Sequence, residues 1–204
     1  MKQETGNNTQ SKVNTVSIQL KLGGHSFSLD MIPADAYRAD AVEISFATEK
    51  CVLVPAALFD PSSAEKYLSI NGLACNDDEC AVSSTETGGI IAVMAVPKGT
   101  VQTIKDALSG KATFSSPLLA RHGSRRKDLH IYVCGGVACF NLYRDGKMRF
   151  AEAVRVCNTD DILYYATRLS EEFDLSDYSI HVGGDGAKKT RQLLKHYFKN
   201  VTCE

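Results

Sequence analysis

Seven cysteines and five histidines carry the widest range of chemistry in this 204-residue chain. Cys75 and Cys80, with Asp77 and Asp78 between them, offer thiolate and carboxylate donors at a C-x4-C spacing. A structural zinc site needs four ligands, commonly two close pairs. No second matching pair follows, so no metal site is assigned. A thiol–imidazole nucleophile, Cys134 with His130 or Cys139 with His181, would require adjoining strands, and no local signature accompanies either pair. His130 and His181 stand beside alternating runs and read as strand residues with satisfied hydrogen bonds. Cys51, Cys134 and Cys139 fall in apolar runs, where a free cysteine behaves as a small hydrophobe. The serine elbow G-x-S-x-G and the Walker-A pattern are both missing. No catalytic residue is assigned.

The basic residues gather twice. Arg121, Arg125, Arg126 and Lys127 share one loop, and Lys188, Arg191, Lys195 and Lys199 fall on one stripe of the last helical segment. Such clusters can meet phosphates. Yet the formal charge is -1, from 23 basic and 24 acidic side chains, and no aromatic residues are interleaved for base stacking. A nucleic-acid partner is therefore not expected, and nucleic-acid association through this loop and the last helix stands only as an alternative. With 44% hydrophobic and 23% charged residues the chain builds an ordinary globular core rather than a disordered one. No apolar run approaches the roughly 18 residues of a membrane span. An odd thiol count behind a polar start, Met1 to Lys12, points to reduced cysteines and a cytoplasmic location.

The elements that would position these groups follow from hydrophobic period. Residues 1–12 read as a disordered tail. Val16, Ile18, Leu20 and Leu22 share one strand face, Gly23-Gly24 turns the chain, and Phe27 and Leu29 continue the alternation. Val42, Ile44 and Phe46 mark a third strand, and Cys51 to Val54 a fourth. Asp60-Pro61 opens a helix that Gly72 ends. Strands follow at 80–84 and 90–96, then a helix with Val101, Ile104 and Leu108 inward, then a short strand at 111–115. The polar stretch 121–127 is the best internal boundary, dividing a first unit at 13–120 from a second at 128–204.

Past that boundary the pattern begins again. Leu129, Ile131 and Val133 alternate, Gly135-Gly136 turns, and Ala138, Phe140 and Leu142 alternate back. Asp145-Gly146 makes a second hairpin turn into a strand from Met148 to Val156. Thr159 caps a helix carrying Asp160 and Asp161 in its first turn. A strand from Tyr178 to Val182 leads into Gly183-Gly184, with Asp185-Gly186 placed to cap a helix from Ala187 to Lys199, and Val201 to Cys203 closes the series. The order is β-β-β-α-β-α-β. The stretches SIQLKLGGHSFSL, from Ser17, and HIYVCGGVACFNL, from His130, look like copies of one hairpin. A duplicated unit of this kind is a two-lobed α/β plan with a cleft between lobes.

That plan resembles the actin-like ATPase fold of sugar kinases, heat-shock ATPases and actin. Val16–Leu29, Val52–Phe59 and Phe140–Gly184 are together similar to an uncharacterised bacterial family that looks like a divergent branch of it. NTDDILYYATRLSEEFDL is the most specific of these motifs. The resemblance covers about 14–203 and implies a duplicated βββαβαβ fold with a shortened first lobe. Little room is left for a helix after the first meander or after Pro117.

The resemblance also implies a site. Such ATPases hold Mg-ATP between two glycine hairpins, each presenting an Asp, with a third strand–Gly-Gly–helix element on the adenosine. The implied nucleotide-contacting glycines are Gly23, Gly24, Gly135, Gly136, Gly183 and Gly184. Gln19 stands where the first Asp belongs, and Tyr132, Val133 and Cys134 precede the second glycine pair without an acid. Magnesium loses its anchor. The resemblance therefore implies a non-catalytic scaffold for an unidentified protein partner, with no cofactor assigned. A second copy of the chain would suffice if the short lobe leaves an apolar face open. The enzyme alternative is a nucleotide binder or weak ATPase that borrows a carboxylate, which an acid facing the Gly23 or Gly135 turn would favour.

Overall fold

The computed structural model describes residues 14–21, 32–120 and 127–204. It is an α/β structure with three sheets among the described residues. The first holds β1 (Thr15–Lys21), β2 (Ala41–Ala47) and β6 (Ala112–Ser115) in the order β1-β2-β6. Both pairings are parallel. The second is an antiparallel sheet of order β3-β5-β4, from β3 (Cys51–Pro55), β4 (Glu79–Ser83) and β5 (Ile90–Pro97), covered by α1 (Ala64–Ile70). The helix α2 (Lys98–Leu108) then leads back to β6.

The third sheet has the order β11-β10-β7-β8-β9, from β7 (Asp128–Cys134), β8 (Val137–Arg144), β9 (Lys147–Arg155), β10 (Ser179–Gly184) and β11 (Val201–Cys203). The helices α3 (Thr159–Phe173) and α4 (Ala187–Leu194) connect its parallel strands. Both crossovers step the same way along the sheet. Right-handed connections therefore put both helices on one face, and α3 and α4 touch.

Side-chain alternation explains the layers. On β7, Leu129, Ile131 and Val133 join Ile162, Ala166 and Leu194 in one core, while His130, Tyr132 and Cys134 face the other way. On β1 and β2, Ile18, Leu20, Val42, Ile44 and Phe46 pack against Val101, Ile104 and Leu108 of α2. The opposite face keeps a polar row of Ser17, Gln19, Glu43 and Ser45. A satellite core joins Leu68 of α1 to Val54, Val93 and Ala95. The segment 116–120 threads between the halves. Asn141 donates to the Pro117 carbonyl at 2.8 Å and the Tyr143 hydroxyl to the Ala120 carbonyl at 2.9 Å.

Four expectations need correction. Ala41–Ala47 is not the third strand of a meander, because it lies beside β1 and parallel to it. Alternation marks a strand but carries no information about its direction. The cap of α3 is Asn158 rather than Thr159, with the Asn158 side chain accepting from Asp160 and Asp161 amides at 2.7 and 3.1 Å. The Asp161 carboxylate returns to the Cys157 and Asn158 amides, completing a capping box. The last helix stops at Leu194, so Lys195 and Lys199 are off its stripe. Asp185 does not cap α4, whose N-cap is Gly186 at φ 66° with no side-chain cap. The first glycine turn, with Phe27 and Leu29, and the 121–126 part of the basic loop lie outside the described residues.

Other expectations hold. Gly135-Gly136 and Asp145-Gly146 both take positive φ, at 59° and 82° and at 55° and 72°, as two-residue hairpin turns require. Asp60 caps a 3-10 turn, Pro61–Ser63, that runs into α1. Between β1 and β2 and directly after Ser116 the described residues include the 3-10 turns Ala36–Arg38 and Pro117–Leu119. Asn158→Ala should cost about 1 kcal/mol. Asp161→Ala should then add less than its own single cost, because the two share one box. Chemical denaturation of the two single variants and the double variant measures both.

Candidate functional site

Among the described residues, two open cavities lie between the halves of the chain. The first, of about 390 Å³, is bounded by the Gly135-Gly136 turn with Val137, by Thr48, Glu49 and Lys50 after β2, and by Glu79 and Arg155. Arg155 grips Glu49 through Nε and a terminal guanidinium nitrogen, at 2.9 and 2.6 Å. Lys50 donates to the Glu79 carboxylate at 2.6 Å and to the Ala74 carbonyl at 3.1 Å. The Asn76 amide reaches the same Glu79 oxygen at 2.8 Å. Partial burial raises the Glu79 pKa, but that amide and the Lys50 ammonium outweigh it and hold the carboxyl below its ordinary range. Both acids of this cavity are thus already paired.

The turn itself is closed from behind. The end of β10 packs so tightly on β7 that a Cβ on Gly184, at φ 81°, would sit 2.0 Å from the Val133 carbonyl oxygen. The Asp185 amide donates to that same carbonyl at 2.7 Å. This places the Asp185 carboxylate against the hairpin, where it accepts from the Gly135 amide at 2.9 Å. An oxygen of this chain thus occupies the turn amide that a phosphate oxygen would use. Gly183 is buried against the Tyr132 ring, with 3.1 Å from a built Cβ to the nearest ring carbon. Gly136 lines the cavity, and its carbonyl accepts from the Val156 amide at 2.8 Å. The structure therefore brings Gly135, Gly136, Gly183 and Gly184 into one locality, while Gly23 and Gly24 lie outside the described residues.

The second cavity, of about 550 Å³, lies between the polar row of the first sheet and the His130 face of the third. Gln19, where the first acid would be expected, and Tyr132, one of the three residues before the second glycine pair, both line it. Beside it His130 and His181 stack at 4.6 Å between centroids. His130 meets Glu204 at 2.7 Å. His181 meets Thr202 at 3.0 Å and Asp128 at 3.4 Å. Both histidines are hydrogen-bonded strand residues, as their sequence context suggests.

Strand register separates them from the thiols, since Cys139 lies opposite Tyr132 and His181 opposite His130. Burial pushes the Cys51 thiol up to about 12, partly opposed by a contact with Ser116. It pushes Cys139 higher still, reinforced by Cys51 and Cys134. These thiols stay protonated and are poor nucleophiles. Among the described residues no three His, Cys, Asp or Glu side chains converge on a metal position, Cys75 and Cys80 included.

The family model of a protein of unknown function, DUF3822, matches residues 35–201. The chain belongs to this family. No curated protein matches it. One solved structure, from Bacteroides thetaiotaomicron VPI-5482, is described as having an actin-like ATPase fold and unknown function. It superposes with a TM-score of 0.71 at 16% identity, over 98% of this chain and 94% of the other. This family member accordingly has the actin-like ATPase fold. A type IV pilus biogenesis complex, PilM–PilN, follows at a TM-score of 0.49, 13% identity and coverage of 82% and 70%. The cytoplasmic domain of EpsL, an inner-membrane component of the Vibrio cholerae type II secretion system, gives 0.43, 10%, 94% and 85%. Among the described residues of this chain no helix is long and apolar enough to cross a membrane.

The pairs Glu49–Arg155 and Lys50–Glu79 and the Asp185 contact were not legible in the sequence. Their members lie 106, 29 and 50 positions apart, beyond any local pattern. Two glycine substitutions separate their roles. Gly184→Ala drives a methyl into the Val133 carbonyl and should cost roughly 2–4 kcal/mol. Gly136→Ala meets only the Val156 carbonyl at 3.5 Å. It should cost about 1 kcal/mol, from its positive φ alone. Equilibrium unfolding of the two variants checks the order.

Proposed function

We propose that this family member is a non-catalytic actin-like protein, a two-lobed scaffold for a protein partner. Its hairpin-side cleft is given to internal contacts rather than to nucleotide. The observation that carries this is the state of the carboxylates on the hairpin side. Glu49 and Glu79 are held by Arg155 and Lys50, and Asp185 sits on the Gly135 amide. A magnesium ion needs carboxylate oxygens free to organise its water shell. A triphosphate needs the turn amides that Asp185 engages. Gln19 and Tyr132 supply no replacement acid.

The proposal extends to organisation. The lobes would span 13–120 and 128–204, joined by 121–127, as duplicated and divergent units, the first shortened. Separate hydrophobic cores on either side of that joint support this. The reduced thiols of a cytoplasmic protein accord with seven free cysteines. A single copy or a pair could present the scaffold.

One observation favours a second reading. Asp185 is an acid facing the Gly135 turn, as a weak ATPase with a borrowed carboxylate would require. The two readings part on Asp185→Asn. The scaffold account expects no ATP binding by calorimetry up to millimolar nucleotide, with or without magnesium, and no phosphate release from either form. Magnesium-dependent turnover that falls at least a hundredfold in a folded Asp185→Asn variant would overturn it and assign the carboxylate a catalytic part.

A further inference from the structure

The second cavity has a chemistry of its own. Its walls carry the Glu43 and Glu204 carboxylates, and among the described residues no lysine or arginine side chain lines it. Glu204 is engaged by His130. Glu43 has no hydrogen-bond or ion-pair partner among the described residues, nor do the side chains of Ser17, Gln19, Ser45 and Ser115. Asn141 is only 2% exposed and donates its amide nitrogen to Pro117, which leaves its buried amide oxygen without a partner. A buried acceptor without a donor costs about 1–3 kcal/mol. The cavity therefore offers carboxylate, hydroxyl and amide acceptors and a net negative charge, and among the described residues its one cation-forming side chain is His130, which Glu204 engages. Pro117, Leu119 and Ala120 add an apolar strip beside them.

We propose that this cavity binds a small organic cation, a primary amine or diamine with a short methylene chain. An ammonium group brings three N–H donors and a positive charge to Glu43 and the neighbouring hydroxyls, with the chain against the Pro117–Leu119 strip. The volume of about 550 Å³ lies within the range of small-molecule sites. A bare divalent cation is a worse match, because no three carboxylate, thiol or imidazole groups converge among the described residues. A phosphate-bearing ligand would meet the carboxylates as a like charge. The site does not include the Gly135 turn, but it shares Gln19 and Tyr132 with the implied nucleotide cleft and so rests on the reading that no nucleotide occupies it.

The probe is 1,4-diaminobutane, titrated calorimetrically into the full chain at fixed ionic strength, with thermal melting recorded in parallel. Saturable binding is expected, weakened about tenfold by Glu43→Gln, which removes one charge-assisted hydrogen bond. Gln19→Glu adds a carboxylate to the same wall and should tighten binding several-fold, a gain that misfolding cannot produce. Absence of heat or melting shift up to millimolar diamine overturns the proposal. So does binding that is equal in wild type and Glu43→Gln, which would mark it as general attraction to surface charge. If Glu43→Gln fails to fold, Gln19→Glu decides alone, and unchanged affinity there counts against the site.

Discussion

The arrangement of the cleft depends on one close contact, the passage of the β10 end across β7. Only a residue without a Cβ allows Gly184 to lie against the Val133 carbonyl, and its φ of 81° turns the chain so that the next amide donates to that oxygen. Asp185 is thereby delivered to the Gly135 amide. The absence of a side chain at Gly184 here serves the approach of a neighbouring strand. The same contact ties the start of α4 to the β7–β8 hairpin and so fixes the wall of the first cavity.

The two halves meet through buried thiols and the Pro117–Leu119 segment and through polar contacts, and the polar ones set the character of the space between them. Each half buries its own hydrophobic core behind its sheet. The facing surfaces are the polar row of β1 and β2 and the His130–Tyr132 face of β7. Buried polar groups must find partners. The segment 116–120 supplies carbonyls to Asn141 and Tyr143. Arg155 and Lys50 neutralise the acids on the hairpin side. On the other side Glu43 has no cationic partner among the described residues. One interface thus contains a charge-balanced cavity and an acidic one.

Much of the fold was legible because it is local. Alternation located β1, β2, β7 and β8, and the positive-φ demands of Gly135-Gly136 and Asp145-Gly146 located both hairpins of the third sheet. Apolar spacing found α2 and α3. What escaped was non-local. The strand at Ala41–Ala47 has the same alternation whether it returns beside β1 or continues a meander, and the parallel pairing depends on a crossover that hydrophobic period does not encode. Asp185-Gly186 reads as a helix cap because Asp commonly fills that role. The tight strand passage instead turns its carboxylate toward a glycine 50 positions away. The glycine pairs of the site were visible in the sequence, but the acids and bases around them were not.

The central claim is that the Gly135 amide is committed to Asp185 and not to a ligand. Backbone hydrogen exchange at Gly135 tests this most directly, in wild type and Asp185→Asn, with and without Mg-ATP. The account predicts protection in wild type that ATP does not change, and faster exchange in Asp185→Asn. Protection at Gly135 and Gly136 that rises on adding Mg-ATP to the wild-type chain would contradict it, because the turn would then be open to phosphate.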